Sequence, residues 1–161
     1  MNIIKASHTD HQKLTTLTIR SKSYWNYTPA QIKKWRKDLT VSPEYILKNP
    51  VYMLYIAQEL IGYYSYLAIS KRIVKLDNIF IDSIYIRKGY GTLLMQDFIS
   101  RIKQAGYQKI QLDSDPNAVN FYQHLGFIII DRIETAIKGR FMPVMELEVQ
   151  QFHNWHKSTF D

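Results

Sequence analysis

Apolar residues in this chain follow two rhythms, and the switch between them predicts the order of elements. Residues 51–57, VYMLYIA, and 61–69, IGYYSYLAI, are dense in β-branched and aromatic side chains. A short polar link joins them, so they read as a strand hairpin. Residues 73–81, IVKLDNIFI, read as the next strand. The rhythm then lengthens over residues 90 to 105, where Leu94, Phe98 and Ile102 recur every fourth position with Met95 and Ile99 beside them. Gln96, Asp97, Ser100, Arg101 and Lys103 take the other side. That pattern is an amphipathic helix, and Gly106 is placed to end it.

The flanking regions follow the same logic. MNIIKAS reads as a first strand, and the stretch after it sets Leu14, Leu17 and Ile19 on a helical face. TPAQIKKWRKDL opens a second helix with Thr28 as N-cap and Pro29 in first position, and SPEYILKN repeats that start in miniature. Beyond the long helix, YQKIQL (107–112) is a short strand. DPNAVNFYQHLGF has Asp115 as N-cap, Pro116 first and Gly126 past the end, and reads as a short helix. FIIIDRIETAI and FMPVMELEV are two closing strands, expected to be antiparallel, with Pro143 suited to an edge position. The predicted order is strand, two or three helices, three strands, helix, strand, helix, two strands. It specifies an α/β (α+β) fold, a mixed central β-sheet flanked by helices, as a single domain over 1–161 with a C-terminal tail at 149–161.

Charge and composition narrow the chemistry. The net charge is +7, from 21 basic and 14 acidic residues. Such an excess favours anionic partners, though it serves solubility equally well. The basic residues are dispersed and form no recognised nucleic-acid motif, so no nucleic-acid partner is expected. The chain has no cysteine, which excludes a disulfide framework, a thiolate metal site and a cysteine nucleophile. The apolar core at the N-terminus is only Ile3 and Ile4, which does not make a signal peptide. No apolar run approaches the roughly 20 residues of a membrane span. No membrane partner and a cytoplasmic location are therefore expected. His8/His11 and His153/His156 are H-x-x-H pairs without an acid in metal-site order, and no metal is expected.

The most informative junction is IRKGYGTLL, where a strand gives way to the long helix. Arg87 and Lys88 precede Gly89 and Gly91. A helix N-terminus offers free N–H groups and the positive end of its dipole to an anion, and glycine lets backbone approach without a Cβ. The stretch lacks the P-loop's G-K-[ST], and Leu94 stands where a dinucleotide fingerprint has its third glycine. Taken alone, the glycine pair fits a phosphate site or a plain tight turn.

A second segment adds to it. FIDSIYIRKGYGTLL resembles the acetyl-CoA motif of the GNAT-type N-acetyltransferase superfamily, Gln/Arg-x-x-Gly-x-Gly/Ala after a strand. DPNAVNFYQHLGF is similar to that family's downstream NA··FY···GF helix, with long helix, glycine and short strand between them in the same order. The resemblance covers residues 50–148 well and the N-terminal third loosely. There are departures: Ile86 stands at the Gln/Arg position, Arg87 where a glycine is usual, and Ser83 where a proline is common.

The resemblance implies acetyl-CoA as cosubstrate and direct attack by an amine acceptor. It implies that Ile79, Phe80 and Ile81 offer backbone groups to pantetheine. Arg87, Lys88, Gly89, Tyr90, Gly91 and Thr92 would cradle the pyrophosphate. Asn117 would contact the pantetheine arm, and Tyr122 would act near the sulfur as the acid that protonates the leaving thiolate. By itself Tyr122 is one of 12 tyrosines, and packing against Ala118 and Leu125 is the ordinary alternative.

A base is less legible. Asp77, at the head of the cofactor strand, is the candidate, with Asp113 second, and Asp82 reads as a structural turn residue. Arg20, Trp25 and Tyr27 form a cationic and aromatic set that could line the acceptor site, with GRFMPVM at its rim. The acceptor's identity is left open among small amines, amino acids, antibiotics and protein amines. The competing reading is a non-catalytic CoA-thioester-binding or sensor domain of the same fold. Oligomeric state is also open, with a homodimer as the candidate.

Overall fold

The computed structural model describes residues 1–135 and 139–152. Seven strands form one sheet in the order β1-β2-β3-β4-β5-β7-β6. They are β1 (Asn2–Lys5), β2 (Val51–Ile56), β3 (Glu59–Ala68), β4 (Ile73–Ile81), β5 (Lys109–Asp113), β6 (Ile128–Glu134) and β7 (Phe141–Glu148). The helices are α1 (His11–Ser23), α2 (Pro29–Lys34), α3 (Pro43–Lys48), α4 (Tyr90–Gln104) and α5 (Val119–His124). β4 and β5 are parallel, with Ile73 opposite Lys109, whereas β1/β2, β2/β3, β5/β7 and β6/β7 are antiparallel. The mixed α+β fold expected from the sequence is therefore the one observed, with α4 as the crossover between the parallel pair.

By compactness the chain divides into Met1–Leu67 with Leu76–Phe98, and Ala68–Lys75 with the residues from Ile99 onward. In the first unit the centre of β3, Ile61 to Ser65, is buried without interruption, as in a strand covered on both faces. Tyr63 joins Leu14 and Leu17 of α1, Ile46 of α3 and Val51 and Met53 of β2 in one apolar cluster. Its neighbour Tyr64 points the other way, packs on Phe98 at 5.4 Å and donates to Asp97 Oδ2 at 2.6 Å, both on α4. The core face of α1 is Leu14, Leu17, Thr18 and Ser21, with Ile19 only half-buried. Thr18 is accepted into that face because its hydroxyl bonds the Leu14 carbonyl and the Tyr63 hydroxyl.

In the second unit Ile110 and Leu112 on β5 lie opposite Leu147 and Met145 on β7, and all four are buried. Two expectations need correction. The TPAQIKKWRKDL helix stops at Lys34, and the rest of the segment is turn, with Leu39 buried beyond the helix end. Pro143 is not on an edge strand, since β7 is flanked by β5 and β6. Its carbonyl accepts from Ser114 N–H at 2.8 Å, just past the last residue of β5. The missing proline N–H therefore faces the side where the β5 ladder has already ended.

Candidate functional site

β4 leads into the glycine-rich junction through a built turn. Asp82 is 5% exposed, and its Oδ1 accepts from Ile84 N–H at 3.4 Å and Ser83 Oγ at 3.3 Å. Arg20 reaches across from α1 to place Nη2 3.1 Å from the same oxygen. A short 3-10 turn, Ser83–Tyr85, follows. Arg87 then takes φ +64° and Gly89 φ +84° before α4 begins at Tyr90. Two left-handed residues in three turn the chain sharply into a helix of 15 residues, whose first N–H groups have no intrahelical partner. Arg87 occupies the position where the resembled family usually has glycine, and the backbone keeps the glycine-type conformation. An L-residue there costs about 1 kcal/mol, a kind of strain that tends to gather at ligand-binding turns.

Arg87, Lys88 and Gly89 are exposed. Lys88 Nζ lies 5.2 Å over the Tyr85 ring, and that ring meets Tyr90 edge-on at 5.8 Å. A hydrogen bond with Glu59 pushes the Tyr85 phenol up to about 12. Upstream on β4, Ile79, Phe80 and Ile81 are half-buried, with Phe80 against Tyr63 at 5.9 Å. Gly62 on β3 was not singled out from the sequence. A methyl group there would come within 2.6 Å of both the Phe80 carbonyl oxygen and Ile81 Cδ1. Only glycine lets β3 close on the strand segment proposed to meet pantetheine; the sequence signal was a glycine inside an aromatic strand.

The second junction, after β5, uses a similar start. Asp115 Oδ1 accepts from Asn117 N–H at 2.9 Å and Asn117 Nδ2 at 3.0 Å, capping a 3-10 turn, Pro116–Ala118. The single helix expected here is this turn followed by α5. Asn117 is exposed. The Tyr122 ring is buried edge-on against Phe121 at 5.2 Å and Phe127 at 5.7 Å. Burial, and then the charge of Asp115, push its phenol well above the ordinary tyrosine range. The residue as a whole is buried, only 7% exposed.

Asp77 on β4 is exposed and belongs to a polar group of four side chains. Tyr45 of α3 donates to Asp77 Oδ2 at 2.5 Å, and Tyr45 Oη lies 2.8 Å from Ser65 Oγ. Asn78 Nδ2 donates to Ser65 Oγ at 2.8 Å. Asp113, the second base candidate, is instead engaged by Lys75 Nζ at 2.5 Å.

The residues expected at an acceptor site each have a separate partner. Arg20 holds Asp82. Trp25 stacks edge-on with Tyr24 at 5.1 Å, and Tyr27 does so with Trp35 at 4.9 Å beneath the Lys22 ammonium. Tyr27 alone of the three lines a cavity of about 490 Å³ with Ile19, Ser23, Pro29, Ile32, Lys33 and Arg36. Among the described residues no three His, Asp or Glu side chains gather as a metal site, and no helix is long and apolar enough to cross a membrane. His153, His156 and the rest of the tail from residue 153 lie outside the described residues.

Comparison with known proteins gives this geometry a family. The acetyltransferase (GNAT) domain matches residues 23–149, and the chain belongs to that family. A curated relative, the uncharacterized N-acetyltransferase ycf52 of Gracilaria tenuistipitata var. liui, is 44% identical over 41 residues. That match covers 26% of this chain and 22% of the relative's length. The fold is similar to PaiA N-acetyltransferase of Thermoplasma acidophilum in complex with coenzyme A, with TM-score 0.77, 19% identity, and 91% and 98% of the two chains covered. The ribosomal-protein-S18-alanine N-acetyltransferase of Escherichia coli aligns with TM-score 0.70 at 18% identity over 92% and 93% of the chains. A GNAT family acetyltransferase of Elizabethkingia anophelis with acetyl-CoA bound aligns with TM-score 0.65 at 18% identity over 91% and 97%.

Proposed function

We propose that this protein is an N-acetyltransferase that moves the acetyl group of acetyl-CoA to a primary amine by direct attack in a ternary complex. The reading takes residues 1–161 as one N-acetyltransferase domain with 149–161 as its tail. The observation that carries it is the junction before α4, where left-handed Arg87 and Gly89, both exposed and with Lys88 between them, lead directly into the N-terminus of a 15-residue helix. The donor set suits a pyrophosphate: main-chain N–H groups from Arg87 to Thr92, with the dipole of α4 behind them. Ile79, Phe80 and Ile81 supply backbone groups to the pantetheine arm, and Asn117 a side-chain amide.

In the reaction the amine nitrogen attacks the thioester carbonyl. A C–N bond forms and the C–S bond breaks. The proton lost by the amine passes to Asp77, and Tyr122 gives its proton to the leaving thiolate. A phenol pushed upward remains protonated at neutral pH, which keeps it available as the donor. The absence of cysteine agrees with transfer without an acyl-enzyme.

Two measurements test this. Acetyl-CoA at millimolar concentration raises Tm, because a ligand that binds only the native state stabilises it; a shift of zero removes the cosubstrate assignment. An acetyl-CoA-dependent thiol-release screen across small amines, amino acids, aminoglycosides and peptide amines then identifies the acceptor. A thermal shift with no release on any class would favour a CoA-thioester-binding domain without catalysis.

A further inference from the structure

We infer that Tyr45 is the positioning residue for Asp77, through a hydrogen-bond chain with a single direction. The inference rests on the reading of Asp77 as the base that takes the acceptor's proton. The direction follows from proton counting. A carboxylate has no proton to give, so the proton in the 2.5 Å contact between Tyr45 Oη and Asp77 Oδ2 belongs to the phenol. Having spent its one proton there, Tyr45 can only accept from Ser65 Oγ at 2.8 Å. Ser65 is completely buried and also has one proton. It gives that to Tyr45 and therefore accepts from Asn78 Nδ2 at 2.8 Å. The chain runs Asn78 to Ser65 to Tyr45 to Asp77, and every donor in it ends on one carboxylate oxygen.

Asn78 also places Nδ2 3.2 Å from Tyr45 Oη and 3.3 Å from Asp77 Oδ2. Consecutive residues of a regular strand point to opposite faces, yet Asp77 and Asn78 both reach Tyr45. β4 therefore departs from simple alternation at the point where the candidate base is mounted. The phenol is held above the ordinary tyrosine range, first by burial and then by its bond to Asp77, so it stays a donor throughout the neutral range. Oδ2 is occupied by these bonds, and Oδ1 is the oxygen left to face an incoming amine. A side chain that would otherwise rotate in solvent is held in one orientation and kept as an acceptor. Tyr45 does not touch the reacting atoms in this scheme and acts only through Asp77.

The test uses the full chain and the variants Tyr45→Phe, Asp77→Asn and their combination, with circular dichroism to show that each folds. One arm needs no substrate. Proton NMR in water should show a protected, downfield hydroxyl proton that belongs to Tyr45, absent in Tyr45→Phe and moved upfield in Asp77→Asn. A Tyr45 hydroxyl indifferent to Asp77→Asn would overturn the chain. The other arm uses the amine found by the thiol-release screen. Tyr45→Phe should lower kcat about tenfold, the low end for losing a group that orients a functional side chain, with KM for acetyl-CoA unchanged. The double variant should be no slower than Asp77→Asn alone, because Tyr45 has nothing left to position. Losses that multiply in the double variant would overturn the positioning role. Asp77→Asn turning over as fast as the parent, with the NMR arm as expected, would overturn the role through the base reading, and so separates the two failures.

Discussion

The two strand-to-helix junctions, after β4 and after β5, begin alike and then diverge. Each starts with an aspartate whose carboxylate caps a 3-10 turn: Asp82 over Ser83–Tyr85, Asp115 over Pro116–Ala118. Asp82 is buried and tied to Arg20, while the Arg140 guanidinium stands off Asp115 at 3.7 Å. After the cap the first junction uses two left-handed residues, Arg87 and Gly89, and releases the chain into the 15-residue α4. The second uses no left-handed residue until Gly126 and makes a helix of six residues carrying an aromatic group, Phe121 and Tyr122, closed by Phe127. One junction exposes backbone donors and sacrifices local stability to do so. The other buries a tyrosine ring in an aromatic group. In the proposed enzyme these become a holder for charge and a mount for a proton.

The largest expected effect breaks the second junction and spares the first. Tyr122→Phe removes one oxygen and leaves the packing on Phe121 and Phe127 intact. If the phenol protonates the leaving thiolate, kcat falls roughly 100-fold, the low end for a positioned general acid, while acetyl-CoA affinity changes little. Steady-state kinetics with chemistry rate-limiting checks this. Parent-like turnover would reduce Tyr122 to a core tyrosine and assign the proton to water.

The converse change breaks the first junction. Gly91→Val places a branched Cβ in the first turn of α4, beside the N–H groups proposed to hold the pyrophosphate. Loss of one charge-assisted hydrogen bond, about 1.5–3 kcal/mol, weakens acetyl-CoA binding by about 10- to 100-fold. Gly91 is helical and has no positive φ, so the fold should survive. Calorimetric titration of a folded Gly91→Val with unchanged affinity would show that this turn does not meet the phosphates.

A stability effect separates glycines that serve packing from those that serve turning. Gly62→Ala drives a methyl group against the Phe80 carbonyl, a backbone atom that cannot rotate away. The expected loss is about 3 kcal/mol, the upper part of the range for overpacking. Gly89→Ala meets no atom within 4 Å and costs only its backbone conformation, about 1–2 kcal/mol. Urea titrations of the two variants should rank in that order. A Gly89→Ala loss equal to or larger than that of Gly62→Ala would mean that the first junction is also tightly packed.

The sequence displayed periodicity well and long-range pairing badly. The order of elements along the chain and the long helix were legible because Leu94, Phe98 and Ile102 repeat along one element, and the caps at Thr28 and Asp115 are local signals. The two motifs located both junctions for the same reason. The features that were not legible depend on partners far along the chain. Pro143 reads as an edge proline until β6 is seen to add outside β7. The pairing of Arg20 with Asp82, 62 positions on, has no local signal. Tyr45 had no signal at all, because its partners Ser65 and Asp77 lie on two other elements. The left-handed Arg87 was half visible, as an arginine in a glycine's place; its φ was not.

The smallest expected effect concerns pH and the strand that leads to the second junction. Lys109 on β5 sits 2.8 Å from Glu146 and 2.9 Å from Glu148 on β7, and Gln111 adds a bond to Glu146 at 2.8 Å. The Lys109 hydrogen bond, and then that of Gln111, hold the Glu146 carboxyl below its ordinary value of 4.5. A carboxyl lowered on folding contributes stability that is complete above its unfolded value and is lost as pH falls through its folded value. The contribution of Glu146 is therefore intact at neutral pH and begins to be lost as pH falls below about 4.5. Because the Lys109 side chain is 37% exposed, solvent screens the pair and the effect is small. Glu146→Gln should lower Tm slightly at pH 7, with the difference from the parent narrowing as pH falls below 4. High salt should shrink the same difference. A gap between the two Tm curves that stays constant from pH 7 to pH 3 would assign the loss to the Gln111 contact and not to charge. It would leave β5 braced at Glu146 by neutral hydrogen bonds alone, in contrast to the ion-paired Asp82 that anchors the first junction.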